Sequence, residues 1–174
     1  PSEVLVMADE TANPSFVAAD LLSQAEHGAD SQVVFLTISK EILEKVKQET
    51  ESQLQDLPRK DIAEKALENS SFILLNSIEE CIEFSNEYAP EHLILSIENP
   101  ENILSEITNA GSIFLGNYTP ESAGDYASGT NHTLPTNGNA RAYSGVSLDS
   151  FVKKITIQKI SEKGIQNLGK TIEK

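Results

Sequence analysis

Short apolar runs alternate with helical patterns along most of this chain of 174 residues. Apolar runs of four or five residues are typical of buried strands, and apolar residues spaced three or four apart are typical of helices. The predicted strands are 4–8, 33–36, 72–75, 93–95 and 113–115. Strands that alternate with helices favour parallel pairing with right-handed crossovers. The pattern therefore predicts an α/β fold, a parallel, Rossmann-like open sheet with helices on both faces.

The first helix has clear start and stop signals. Asn13 suits the N-cap, Pro14 suits the first helical position, and Gly28 is a natural C-terminal stop. The other predicted helices are 40–57, 59–69, 78–88, one that begins at Asn99 and Pro100, and 162–174, the last preceded by a predicted strand at 154–157.

Residues 116–146 break the alternation, because they are rich in Gly, Asn, Ser, Thr and Pro. A loop this long in a compact domain is usually functional or disordered, and its Tyr and His content favours function. We therefore expect a Rossmann-like core at 1–115, an active-site loop at 116–146, and a closing strand and helix of the same domain at 147–174.

Composition narrows the classes of partner. The formal charge of −14 argues against nucleic acid and against anionic membranes, which both need clustered Lys and Arg. One cysteine excludes an intrachain disulfide, and no apolar run approaches the ~20 residues of a membrane helix. No signal peptide is visible, so we expect a cytoplasmic protein. Because Pro1 follows no initiator Met, we expect the chain to begin inside a longer gene product.

Two clusters of polar residues could carry chemistry. Gln24 and His27 are three apart and share one helix face, where they could bind a metal or simply form a polar helix end. Glu91 and His92 follow Pro90, which predicts extended geometry for Ala89. This carboxylate and imidazole could activate water and carry a proton, or they could be ordinary solvated loop residues.

The long loop and the single cysteine offer further candidates. Asp125 could be an oxygen ligand or an Asx-turn residue, and His132 could bind substrate or satisfy loop carbonyls. Cys81 could be a nucleophile, but it falls on the apolar face of the helix at 78–88, which favours core packing. No Gly-x-Gly-x-x-Gly follows any predicted strand, so we predict no cofactor-binding residues within this chain.

The candidate residues fall within a set of five sequence blocks: PSEVLVMADE, ADLLSQAEHG, NEYAPEHL, AGSIFLGNYTPESAGDYASGTNHTLPT and the LDSFVKK region. Together these blocks resemble the histidinol dehydrogenase family, a group of zinc-dependent, NAD-linked oxidoreductases related in fold to the aldehyde dehydrogenases. The blocks occur in the family's order and spacing, and APEHL together with GDYASGTNH is highly specific. The chain resembles the carboxyl-terminal portion of the family, so we expect a sheet that is incomplete at both ends.

The resemblance implies a role for each candidate. Gln24, His27 and Asp125 match zinc ligands, Glu91 matches the base that activates water, and His92 matches the general acid/base. Positions that match substrate contacts are Ser2, Gln24, His27, His92 and Asp125, and His132 matches a histidine that lines the same pocket.

The implied reaction is the four-electron oxidation of L-histidinol to L-histidine through L-histidinaldehyde, with two hydrides passing to NAD and zinc positioning the substrate. The family is homodimeric with shared sites. Its NAD contacts lie mainly in a segment that would precede Pro1, and its last zinc ligand is a partner-subunit histidine beyond the position of Lys174. An incomplete ligand set should bind metal weakly, so we expect the isolated chain to be inactive or weakly active.

Two other functions remain open at this stage. One is a catalytically silent α/β binding domain, although six intact candidate residues weigh against it. The other is a relative of the aldehyde dehydrogenases that uses Cys81 as its nucleophile.

Overall fold

The computed structural model describes residues 2–173, which form a five-stranded parallel sheet in the order β3-β2-β1-β4-β5. The strands are β1 (Glu3–Ala8), β2 (Gln32–Thr37), β3 (Ser71–Leu74), β4 (His92–Ser96) and β5 (Ser112–Leu115). Each lies where an apolar run predicted a strand, and the parallel α/β prediction is confirmed.

Within these described residues, six α-helices connect or follow the strands. They are α1 (Pro14–Ala25), α2 (Lys40–Leu54), α3 (Lys60–Glu68), α4 (Ile78–Tyr88), α5 (Glu121–Tyr126) and α6 (Glu162–Ile172), and 3-10 turns cover Pro100–Glu106, Asn139–Arg141 and Leu148–Phe151. The start of α1 is as predicted, because the Asn13 side chain accepts a hydrogen bond from the Ser15 N–H and Pro14 takes the first position. Lys174, where the last helix was predicted to end, and Pro1 lie outside the described residues.

The core lies on both faces of the sheet, since successive side chains of a strand point to opposite faces. From β1, Val4 and Val6 pack with α1, α2 and α3 in one buried cluster. Leu5 and Met7 pack with α4 in a second cluster on the opposite face. Helices therefore cover both faces, as predicted, and β1 is buried along its whole length.

Three strands begin side by side at the amino edge of the sheet. His92, the first residue of β4, is in register with Val4 of β1 and Ser112 of β5. The carboxyl end of α1 leads to the same edge, because the chain enters β2 at Gln32 a few residues after α1 ends. Parallel α/β proteins usually bind ligands at the carboxyl ends of their strands. Here the Glu91–His92 pair lies at the opposite edge.

Three local predictions were wrong. The expected strand at 154–157 is absent, because residues 152–160 have no regular structure and leave Ile155 and Ile157 72% and 90% exposed. The segment 116–146 is not a plain loop, because it contains α5. Ala89 is left-handed (φ 56°, ψ 64°) rather than extended, because it ends α4 with its N–H donating to the Ser85 carbonyl. Within residues 2–173, every helix is too short or too polar to cross a membrane.

Candidate active site

The Glu91–His92 pair is buried, with only 5% and 4% of the two residues exposed. The interpretation as solvated loop residues is therefore wrong. Gly111 lets the chain entering β5 lie directly against this pair, because a Cβ at position 111 would be 2.5 Å from the Glu91 carbonyl oxygen. The Ser112 N–H donates to that carbonyl at 2.9 Å, which fixes the backbone of Glu91 at the sheet edge.

The backbone of Glu3 contacts both members of the pair. Its N–H donates to Glu91 Oε2 at 3.0 Å, and its carbonyl oxygen lies 3.2 Å from His92 Nδ1. Because a carbonyl oxygen only accepts, a hydrogen bond there requires the proton of neutral His92 on Nδ1. Nε2 is then the free basic nitrogen, and within residues 2–173 this buried atom has no hydrogen-bond partner.

Helix α1 brings Gln24 and His27 together on one face, as their spacing predicted. Gln24 Nε2 lies 3.4 Å from His27 Nδ1. Gln24 is fully buried, and its Oε1 has no hydrogen-bond partner among the described residues. His27 is exposed just beyond the C-cap Glu26. A buried, unpaired amide oxygen beside an imidazole favours a ligand site over a merely polar helix end.

Glu121 of α5 is a site residue that the sequence reasoning missed. It is 1% exposed, its Oε1 is 4.0 Å from His92 Nε2, and its Oε2 has no hydrogen-bond partner within the described chain. Burial, together with the charges of Asp125, Asp20 and Glu91, raises the pKa of Glu121 to about 8. The signals that could have revealed it are Pro120, which suits a helix start, and the four-residue spacing from Glu121 to Asp125.

The two helices meet in a cluster of potential metal ligands. One ligand atom from each of His27, Glu121 and Asp125 lies within 4.8 Å of the other two. Asp125 is helical, so the Asx-turn interpretation does not describe it. With the free Gln24 Oε1 beside His27, the donors are one imidazole nitrogen and several oxygens, a set that suits zinc.

Helix α5 is held closely against the sheet. A Cβ on Gly124 would lie 2.6 Å from Cε1 of Phe114, so glycine is needed for this approach. The Phe114 ring in turn lies 6.0 Å from the His92 ring, centroid to centroid. Asp20 of α1 accepts the Glu121 N–H at 3.3 Å, and burial raises the pKa of Asp20 to about 6. Packing and hydrogen bonding thus orient α5 over the pair.

The remaining candidates are not brought into this cluster. Ser2 is half-buried just before β1 and lines a separate depression with Asp30 and Asn137. His132 is exposed in the long loop. Cys81 is fully buried, as predicted, and burial raises its thiol pKa to about 11. Such a thiol is a poor nucleophile, which argues against a cysteine-dependent mechanism.

The fold and the cluster together define a class: a parallel α/β protein with a buried carboxylate–imidazole pair beside a candidate nitrogen and oxygen metal site. The chain belongs to the histidinol dehydrogenase family, whose sequence model matches residues 1–174.

Named relatives agree with this assignment. The chain is 60% identical to a histidinol dehydrogenase of Bacteroides thetaiotaomicron over 173 residues, and 56% identical to one of Yersinia pestis over 173 residues. It covers 40% and 39% of those proteins, and each alignment covers 99% of this chain. A crystal structure of histidinol dehydrogenase from Elizabethkingia anophelis is 70% identical, with a TM-score of 0.96 over 99% of this chain and 40% of that one. The chain therefore spans about two fifths of the length of these relatives.

Proposed function

We propose that this chain supplies the metal-binding and proton-transfer part of a histidinol dehydrogenase, which oxidises L-histidinol to L-histidine through L-histidinaldehyde in histidine biosynthesis. One observation carries the proposal. Within the described chain, Gln24 Oε1, His92 Nε2 and Glu121 Oε2 are buried without hydrogen-bond partners. Close contacts through His27 and Glu121 link the three side chains. Buried polar atoms normally have partners, so this set favours a site completed by ligands and argues against a silent binding domain.

Gln24, His27 and Asp125 are the proposed zinc ligands. Gln24 and Asp125 offer oxygens and His27 offers a ring nitrogen, and these donor types are ones that zinc takes in proteins. Zinc, when bound, would hold and polarise nitrogen groups of the substrate. The same three side chains therefore also border the substrate. Ser2 and His132 are proposed as further substrate contacts on the strength of their positions in the family's motifs.

His92 is proposed to take the proton of the alcohol at Nε2. That nitrogen is free because Nδ1 faces the Glu3 carbonyl, and a protonated ring would lie 4.0 Å from Glu121 and 3.8 Å from Glu91. Two carboxyl groups thus lie beside the ring that is proposed to receive the proton.

Glu91 is proposed to activate the water that adds to the aldehyde. Its Oε2 accepts the Glu3 N–H, which leaves Oε1 available as a base. A carboxylate within reach of both water and His92 suits general-base catalysis, and the hydrated aldehyde can then be oxidised to the acid. No covalent thiol intermediate is needed.

NAD is proposed as the hydride acceptor from family membership alone. No Gly-x-Gly-x-x-Gly follows a strand of this chain, so we assign no NAD contact to these residues. The chain covers 40% of its relatives' length, and we propose that by itself it is inactive or weakly active.

We also propose that the protein forms a homodimer with shared sites and that it acts in the cytoplasm. Residues 147–173 expose a series of large apolar side chains, which supports burial against another part of an assembly. These are Leu148, Phe151, Val152, Ile155, Ile157, Ile160, Ile165, Leu168 and Ile172.

The test is a zinc titration of the chain with and without L-histidinol, beside His27→Ala and His92→Ala. We expect the chain to bind zinc and L-histidinol to increase its affinity for zinc. His27→Ala should lose the zinc binding and the effect of L-histidinol, because His27 offers a ligand atom in the cluster. His92→Ala should bind zinc normally, and in a sequence extended to the family's full length it should slow turnover. Loss of zinc in His92→Ala, or normal zinc binding in His27→Ala, would contradict the assigned roles.

A further inference from the structure

We infer that Glu3 is a positioning residue: its backbone orients both Glu91 and His92, and its buried carboxylate ties that backbone to the long loop. The inference rests on the proposed function, because Glu91 and His92 are its proposed base and acid/base. Glu3 itself touches none of the proposed zinc ligands in the described contacts.

The backbone of Glu3 reaches the two side chains in opposite ways. Its N–H is a donor to Glu91 Oε2 at 3.0 Å, which selects one carboxylate oxygen and leaves the other for water. Its carbonyl is an acceptor facing His92 Nδ1 at 3.2 Å, which selects the tautomer with a free Nε2. Groups that orient a reactive imidazole or carboxylate through its second atom commonly change activity by about 10- to 100-fold when they are removed.

The side chain of Glu3 connects this backbone to the long loop. Glu3 is 6% exposed, and its Oε1 accepts the N–H of Asn137. Asn137 and Gly138 have φ of 56° and 69°, and the Asn139 N–H donates to the Thr136 carbonyl at 3.1 Å. These are the features of a type I′ turn, a rigid connection for which Asn-Gly is the favoured sequence.

The same segment is held a second time, at the end of α4. The Arg141 guanidinium donates to the Glu87 carbonyl oxygen and lies 3.6 Å from the Glu87 carboxylate. The turn that contacts Glu3 is therefore fixed relative to the body of the protein. Burial raises the pKa of Glu3, whereas the Asn137 N–H and the nearby Tyr88 hydroxyl lower it. The loop and α4 thus each supply one polar group beside this carboxyl group at the sheet edge.

The test compares Glu3→Gln, Glu3→Ala and the control Glu44→Ala, an exposed glutamate of α2. Glutamine keeps an oxygen that can accept the Asn137 N–H, whereas alanine keeps none. The primary measurement is the tautomer of His92 from ¹⁵N ring shifts, which does not depend on activity. The chain has three histidines, so His92→Asn assigns the signal.

We expect neutral His92 to carry its proton on Nδ1 in the parent chain, in Glu3→Gln and in Glu44→Ala. In Glu3→Ala the signal should move toward the Nε2–H tautomer. Zinc affinity and melting temperature should stay near those of the parent, because the proposed ligands lie on α1, just after it, and on α5. In a full-length form, kcat of Glu3→Ala should fall about 10- to 100-fold with KM little changed, and Glu3→Gln should restore most of it.

An unchanged Nδ1–H tautomer in Glu3→Ala would overturn the inference. So would a tautomer shift or a fall in kcat in Glu3→Gln as large as in Glu3→Ala, or a loss of zinc affinity in Glu3→Ala. If Glu3→Ala does not fold, Glu3→Asp, which shortens the acceptor by one methylene, should move the tautomer in the same direction, and no movement counts against the inference. Failure of the parent enzyme to oxidise L-histidinol would refute the proposed function instead, and the tautomer result would stand separately.

Discussion

Glu121→Gln should make the stability of the metal-free chain less dependent on pH. In the folded chain burial and three neighbouring carboxylates raise the pKa of Glu121 from 4.5 to about 8. Between these values the folded chain binds more protons than the unfolded chain. The free energy of unfolding contributed by Glu121 is therefore greatest below pH 4.5 and is lost as pH rises toward about 8.

The size of the effect follows from the size of the shift. Each pH unit between the two pKa values costs about 1.4 kcal/mol of unfolding free energy, so the loss from pH 6 to pH 8 is roughly 2 kcal/mol. Asp20, whose pKa is raised to about 6, adds to the loss at the lower end of this range. Because Glu121 is 1% exposed, solvent screening reduces this cost little. Glutamine fills nearly the same volume and carries no charge at either pH.

The assay is urea unfolding at pH 6 and pH 8 in the presence of a chelator, with the parent chain, Glu121→Gln and Asp56→Asn. Asp56 is an exposed carboxylate, so its variant is the matched control and should behave as the parent does. We expect Glu121→Gln to lose roughly 2 kcal/mol less than the parent between the two pH values. Equal losses in the parent and in Glu121→Gln would refute the argument that burial keeps this carboxyl group protonated.

Two further predictions concern packing. Gly124→Ala should destabilise the chain by about 1–3 kcal/mol and weaken zinc binding, because its Cβ would meet the Phe114 ring and displace α5. Thermal melts check this against the control Gly169→Ala, a position with open space around it. Equal melting temperatures of the two variants would contradict the prediction. Cys81 should resist alkylation at neutral pH until the chain is unfolded in urea, since the thiol is buried with a pKa raised to about 11; equal labelling rates in the native and unfolded chains would show that the thiol is accessible.

The sheet was predictable because local patterns and tertiary structure agree there. The apolar run at 4–8 is buried on both faces in a central strand, which is the environment that such a run indicates. The segment 154–157 shows the limit of the same reasoning. Its alternating Ile and Lys or Thr residues have the strand period, yet Ile157 is 90% exposed and no strand of the described chain lies beside it. Periodicity reports that a face is suited to burial and does not identify what buries it.

The candidate site was predictable in part. The residues of Gln24–His27 and Glu91–His92 are close in sequence, so helix and strand geometry alone keep each pair together. Glu121 escaped prediction because its role depends on α5 folding back toward α1 and β4, contacts that link residues far apart in the chain. The Gly-rich composition around α5 resembles a loop, and a six-residue helix gives a weak periodic signal.

The exposed apolar residues of 147–173 lie on a chain whose formal charge is −14. At low ionic strength, like charges hold separate copies apart and oppose contact between these apolar side chains. Added salt shortens the range of that repulsion to about 8 Å at 0.15 M, while the attraction between apolar surfaces persists. Self-association of this acidic chain should therefore increase as salt is added, the reverse of what is expected when oppositely charged surfaces meet.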